Sequence, residues 1–223
     1  IMGAERRVVF DLVNVVRGEA TIKQALVRDK KLNNLFLLPA SQTRDKDALT
    51  EEGVASVISE LRHYFDWIVC DSPAGIERGA TLAMRHADEA IIVSNPEVSS
   101  VRDCDRIIGL LDAKTQVAEQ GGRMPKHLLI TRYDSARAKT GEMLATDDVV
   151  DILSVPLIGV IPESKDVLKA SNVGLPVTLA DEGSPAARAY MEATRRLLGE
   201  NIPVTIPEEK KGLFGKIFKG RAA

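Results

Sequence analysis

Five short runs rich in Val, Ile and Leu recur along the chain, each apolar over its whole length and separated from the next by longer, more polar stretches. They are Leu35-Phe36-Leu37-Leu38, Trp67-Ile68-Val69-Cys70, Ala90-Ile91-Ile92-Val93, Leu128-Leu129-Ile130 and Leu157-Ile158-Gly159-Val160-Ile161. A strand with one face in water alternates apolar and polar residues. A strand apolar throughout needs cover on both faces, as in a parallel sheet layered between helices. Segments such as 51–64 and 101–113 carry apolar residues at three- and four-residue spacing and are long enough for crossover helices. The pattern predicts an α/β fold with a mostly parallel, doubly wound sheet.

A length of 223 residues with 44% hydrophobic and 28% charged residues excludes a disordered chain and allows one large domain. The formal net charge of −2 argues against a basic field over the whole surface, the usual footprint of a nucleic-acid protein. Cys70 and Cys104 are the only cysteines, which fits a reducing, cytoplasmic setting better than a disulfide scaffold. No run reaches transmembrane length, and the first residues, Ile1-Met2-Gly3-Ala4-Glu5, carry no signal-peptide core.

A doubly wound sheet takes its ligands beyond the carboxyl ends of its strands. Here those ends read Pro39-Ala40-Ser41-Gln42, Asp71-Ser72-Pro73-Ala74-Gly75, Ser94-Asn95-Pro96-Glu97, Thr131-Arg132-Tyr133-Asp134 and Pro162-Glu163-Ser164-Lys165. The sharpest is the apolar run that closes on Asp71. A carboxylate followed by a small, flexible turn is how P-loop nucleotide hydrolases hold Mg²⁺ through a bound water. The competing reading is an Asp that caps the next helix. A phosphate cradle ending in Gly-Lys-Ser/Thr does not occur in the sequence, and Gln120-Gly121-Gly122-Arg123-Met124 lacks its lysine.

Two prolines in Ile202-Pro203-Val204-Thr205-Ile206-Pro207 oppose helix and predict an extended linker. Residues 208–223 then carry five Lys/Arg against two acids, a local charge of +3 that leaves −5 on the rest. On a helix Leu213, Phe214, Ile217 and Phe218 fall within a roughly 140° sector, with Lys211, Lys216 and Lys219 outside it. That is the pattern of a short interfacial helix for an anionic membrane. A tail helix docked on its own domain is the alternative. Around Arg102, Asp103, Asp105 and Arg106 the charges suggest a solvated helix face, with Ser99 or Ser100 as its cap. His63, His86 and His127 show no metal-ligand spacing.

Taken together, several runs resemble the MinD family of septum site-determining ATPases, in the deviant Walker A group of P-loop proteins. The resemblance rests on Glu5-Arg6-Arg7-Val8-Val9, Leu38 through Leu49, Ile68 through Glu77, Asn95 through Asp103, Leu129 through Tyr133, Gly159 through Glu163, and Lys210-Lys211-Gly212. It implies a P-loop NTPase sheet in residues 1–201, a linker at 202–207 and a membrane-targeting tail at 208–223. It also implies that the family's first two strands, the phosphate loop and the catalytic residues belong upstream of Ile1, so that the 223 residues alone are inactive and leave apolar strand edges unpaired.

By resemblance Asp71 would hold Mg²⁺ through water beside the switch turn ending at Gly75, and Arg132, Pro162 and Glu163 would border the adenine of ATP. Ser164 stands where the family often has Asp. Arg102, Asp103 and Asp105 would meet the partners MinC and MinE. Leu213, Phe214, Ile217, Phe218, Lys211 and Lys216 would meet the inner face of the plasma membrane, to which an ATP-bound homodimer cycles from the cytoplasm. A nonenzymatic membrane and partner adaptor, or a chromosome-partitioning ATPase, are the alternative readings.

Overall fold

The computed structural model describes residues 5–40, 49–72 and 78–208. A 3-10 turn at Glu5–Arg7 leads to two short helices, α1 (Leu12–Val16) and α2 (Ile22–Ala25), and to two short strands, β1 (Val27–Arg28) and β2 (Phe36–Leu37). Helices α3 (Glu51–Leu61) and α4 (Arg78–Arg85) precede the main sheet, which consists of β3 (Ala90–Ser94), β4 (Lys126–Tyr133) and β5 (Leu157–Pro162). Between β3 and β4 lie α5 (Val98–Lys114) and α6 (Gln116–Glu119); between β4 and β5 lie α7 (Ser135–Lys139) and α8 (Thr146–Leu153). After β5 come α9 (Lys165–Asn172), α10 (Val177–Ala180) and α11 (Pro185–Leu197), and residues 200–208 enter neither helix nor strand.

Local chemistry sets the helix starts. The Thr50 hydroxyl accepts from the Gly53 amide at 3.1 Å, and Glu51 and Glu52 place negative charge in the first turn of α3. Ser184 caps α11 by accepting from the Ala187 amide at 3.2 Å, with Pro185 in the first turn, where its missing N–H costs nothing. The predicted serine cap of α5 is corrected. The helix begins at Val98 after Glu97, which makes no side-chain cap, and Ser100 lies inside it and reaches back to the Asn95 amide.

The sheet runs in the order β3-β4-β5, all parallel, with Ile92 beside Leu128 and Ile130 beside Val160. These residues share one face and form the main core with Val101, Cys104 and Leu111 of α5 and Val149 and Leu153 of α8. Each large side chain buried there contributes roughly 1.5–3 kcal/mol. On the other face α11 packs against β5 so closely that a Cβ on Gly159 would come within 2.8 Å of the Ala193 methyl. Helices thus cover both faces of β5. The architecture is α/β with a parallel, doubly wound sheet, as the apolar runs predict.

Two of the five runs behave differently. Leu35–Leu38 does not join the parallel sheet, because β2 pairs antiparallel with β1. The Asp29 carboxylate accepts from the amides of Lys31 and Leu32 at 2.7 and 2.8 Å, and this Asx turn returns the chain locally. Phe36 then packs on Phe65, ring centroids 5.4 Å apart, beside a second core of Ile22, Val57 and Leu61. Trp67–Cys70 forms no strand. Ile68 packs on that second core, while Trp67 is 54% and Val69 86% exposed. An apolar run encodes a demand for burial, not the identity of a ladder partner, and among the described residues β3 pairs on one edge only.

Candidate functional site

The carboxyl ends of β3, β4 and β5 meet in one hydrogen-bonded group. Ser94, buried at the end of β3, places its hydroxyl 3.2 Å from that of Ser100, which in turn accepts from the Asn95 amide at 3.1 Å. Across the sheet the Thr131 hydroxyl donates to the Asn95 side-chain oxygen at 3.0 Å. The first turn of α5 and the ends of two strands are therefore tied together before the chain reaches Arg132.

At Arg132 the backbone turns left-handed, with φ of +57°. This conformation crowds the Cβ of any residue but glycine, and such positions cluster at functional sites. The next strand supplies its partner. The Glu163 amide donates to the Tyr133 carbonyl at 2.9 Å, which brings the Glu163 carboxylate 2.9 Å from Arg132 Nε. Glu163 hydrogen-bonds the guanidinium and holds the Arg132 pKa above its ordinary value. Both side chains are largely solvent-exposed, so the pair forms an open polar lip with a planar cation able to stack on or bond to a flat, polar ligand. Pro162 stands beside Tyr133 in register.

Arg132, Pro162 and Glu163, grouped by sequence reasoning, are thus brought together. Asp71 is exposed, outside any strand, and Gly75 lies outside the described residues. Arg102, Asp103 and Asp105 all face solvent on α5, opposite buried Val101 and Cys104. Leu213, Phe214, Ile217, Phe218, Lys211 and Lys216 also lie outside the described residues. Sequence reasoning missed the bridge from Thr131 to Asn95; both sit in predicted strand-end loops, but nothing in either loop announces the other. Concave spaces of about 230 and 430 Å³ lie elsewhere, among α1–α3 and between α3 and α6.

The residues present have the chemistry to meet a flat, polar ring. The exposed guanidinium, the carboxylate and the Pro162 ring form a lip at the strand ends, whereas the sequence holds no Gly-Lys-Ser/Thr loop for phosphates. Among the described residues no three His, Cys, Asp or Glu side chains group as a metal site, and no helix is long and apolar enough to cross a membrane.

No family model matches the chain. The septum site-determining protein MinD of Neisseria meningitidis serogroup B is 58% identical over 99% of this chain and 82% of its own length. The MinD of Escherichia coli K12 is 56% identical with the same coverage. Among solved structures, MinD in the MinC:MinD cell division complex of Aquifex aeolicus superposes with a TM-score of 0.80 at 39% identity, over 92% of this chain and 79% of that one. The Pyrococcus horikoshii MinD complexed with Mg-ADP, at 24% identity, shares the fold with a TM-score of 0.71 over 87% of this chain and 78% of that one.

Proposed function

Because the chain belongs to the MinD family of septum site-determining proteins, we propose that it forms most of a membrane-cycling ATPase that helps place the division site. The observation that carries this reading is the lip of Arg132, Pro162 and Glu163, which lies at the carboxyl ends of parallel strands, where such a sheet takes its ligand. Arg132 and Glu163 are assigned to the adenine side of ATP, with Pro162 lining the loop. Asp71 is assigned to Mg²⁺ through a water, and the turn that ends at Gly75 to sensing the γ-phosphate. When bound, the metal would neutralise phosphate charge, while Arg132 and Glu163 would orient the base and Asp71 would hold a water on the metal.

Membrane attachment is assigned to Leu213, Phe214, Ile217 and Phe218 inserting among lipids, with Lys211 and Lys216 on anionic headgroups. One such tail binds weakly, and two in an ATP-bound homodimer multiply the effect by about 10²–10⁴. Hydrolysis that separates the subunits then releases both. The exposed Arg102, Asp103 and Asp105 face of α5 is assigned to partner proteins. A complex of MinC with a protein of like fold supports MinC as a partner, and MinE is proposed as the second.

Co-sedimentation with phosphatidylglycerol-containing vesicles tests the tail: removal of residues 212–223 is expected to abolish binding, and unchanged binding overturns the assignment. Phosphate release tests the catalytic reading. The 223 residues, without a Gly-Lys-Ser/Thr loop, are expected to release none above background even with MinE added.

A further inference from the structure

Two consecutive arginines in the last turn of α11 grip the chain as it leaves the domain. Gly199, with φ of +90°, reverses the backbone, and the Glu200 amide donates to the Arg195 carbonyl at 3.0 Å. Arg195 Nε donates to the Glu200 carboxylate at 2.8 Å and fixes the outside of this bend. Arg196 points inward. Its side chain is only 8% exposed. Its Nε donates to the Ile202 carbonyl at 2.9 Å, Nη1 to the Ile158 carbonyl of β5 at 2.8 Å, and Nη2 to both the Pro203 carbonyl and the Glu192 carboxylate.

One guanidinium thus joins the sheet, the last helix and the departing segment through four of its five N–H groups. Val204 follows and packs on the main core. Residues 201–208 have no ladder or helix of their own; the Arg196 side-chain donors and the Val204 contact tie them to the domain. A helix-terminal arginine that only complemented the dipole would point to solvent. Lysine, whose three N–H groups share one nitrogen, cannot make this fork.

We propose that Arg196 is the positioning residue for the membrane-seeking tail. By seating residues 202–204 on the domain it makes the free run to the tail begin at Thr205 rather than just after Glu200, and so keeps the domain close to the surface that the tail binds. This rests on the assignment of the tail to an anionic lipid surface. The reach of a flexible chain grows with the square root of its length, so freeing residues 201–204 adds slack without altering the tail's own affinity.

The test uses the full chain, Arg196→Met and Arg196→Lys variants, and a chain with a Gly/Ser insertion after Glu208 that leaves Arg196 intact. In solution, cleavage by thermolysin between residues 201 and 206 is expected to rise roughly tenfold in both Arg196 variants, as expected for losing charge-assisted hydrogen bonds, and to stay at the wild-type rate in the insertion chain. On phosphatidylcholine vesicles containing phosphatidylglycerol and dansylated lipid, energy transfer from Trp67, the single tryptophan, reports the distance of the domain. At equal bound fraction, transfer is expected to fall by about a third in the Arg196 variants and in the insertion chain. It should recover when residues 205–208 are removed from Arg196→Met. Wild-type cleavage and transfer in Arg196→Met, with transfer lowered by the insertion, overturn the proposal. If removal of residues 212–223 leaves vesicle binding unchanged, the tail assignment fails, and wild-type cleavage of the Arg196 variants then sinks the clamp by itself.

Discussion

Arg132 and Glu163, one at the carboxyl end of β4 and one just beyond β5, meet at 2.9 Å over a backbone that turns left-handed at Arg132. The left-handed conformation costs a non-glycine residue about 1–2 kcal/mol. Arg132→Ala removes the ion pair and retains that cost; Arg132→Gly removes both. The glycine variant is therefore expected to be more stable than the alanine variant by about 1 kcal/mol, the reverse of the order in an ordinary helix. Urea unfolding of the two variants checks it, and an alanine variant equal to or above the glycine one would sink the strain argument.

The bridge from Thr131 to Asn95 ties β4 to β3 immediately before that strained residue. Thr131→Val keeps the shape and removes the hydroxyl; Asn95→Ala removes the acceptor. Each is expected to cost about 1 kcal/mol, and the double variant less than the two together, because both delete the same bond. A double-mutant cycle by chemical unfolding measures the coupling. Strict additivity would show that the two side chains do not support each other.

What was legible in the sequence follows from what each signal encodes. Leu128 through Ile130 and Leu157 through Ile161 announced fully covered strands, and the structure buries Leu128, Ile130, Val160 and Ile161 almost completely. The same signal misplaced Leu35–Leu38, because an Asx turn at Asp29 made a local antiparallel partner nearer than any distant strand. It misplaced Trp67–Cys70 because pairing is a relation between segments, and no composition specifies the other segment. The strand-end loops named Arg132 and Glu163 through their resemblance to a family, whereas the left-handed backbone at Arg132 left no trace in the residue type. Arg196 was silent for a related reason: an arginine in a final helical turn is commonplace, and only the fold brings the Ile158 carbonyl to it.

The Asp29 turn gives a pH dependence with a definite sign. Hydrogen bonds from the backbone amides of Leu32 and Lys31 hold the Asp29 carboxyl below its ordinary pKa. The unfolded chain therefore takes up the proton first as pH falls. The stability from this group is fully present above the ordinary carboxylate value of about 3.9 and is lost as pH drops through the lower folded value. Asp29→Asn keeps an acceptor oxygen and abolishes the titration, so the variant's urea midpoint should fall less steeply than that of the wild type below about pH 4. Parallel pH profiles would remove Asp29 from the acid response.

Among the described residues, the face of the sheet that α11 covers over β5 is open over β3. Val93 lies beside Leu129 and Gly159 in register, yet Val93 is 56% and Ile91 43% exposed, while Ile92 between them is buried. Exposed apolar side chains on a strand that, among the described residues, pairs on one edge only favour association with other chains, and a lysine there is how natural sheets discourage it. The wild-type chain is expected to self-associate at micromolar concentration. Val93→Lys should raise the monodisperse fraction severalfold without lowering the melting midpoint, whereas Ile92→Lys, which buries a charge in the main core, should unfold the sheet. Light scattering and thermal melts of the three proteins separate these outcomes. A monodisperse wild type with a sharp melt, matched by Val93→Lys, would mean that this face needs no cover.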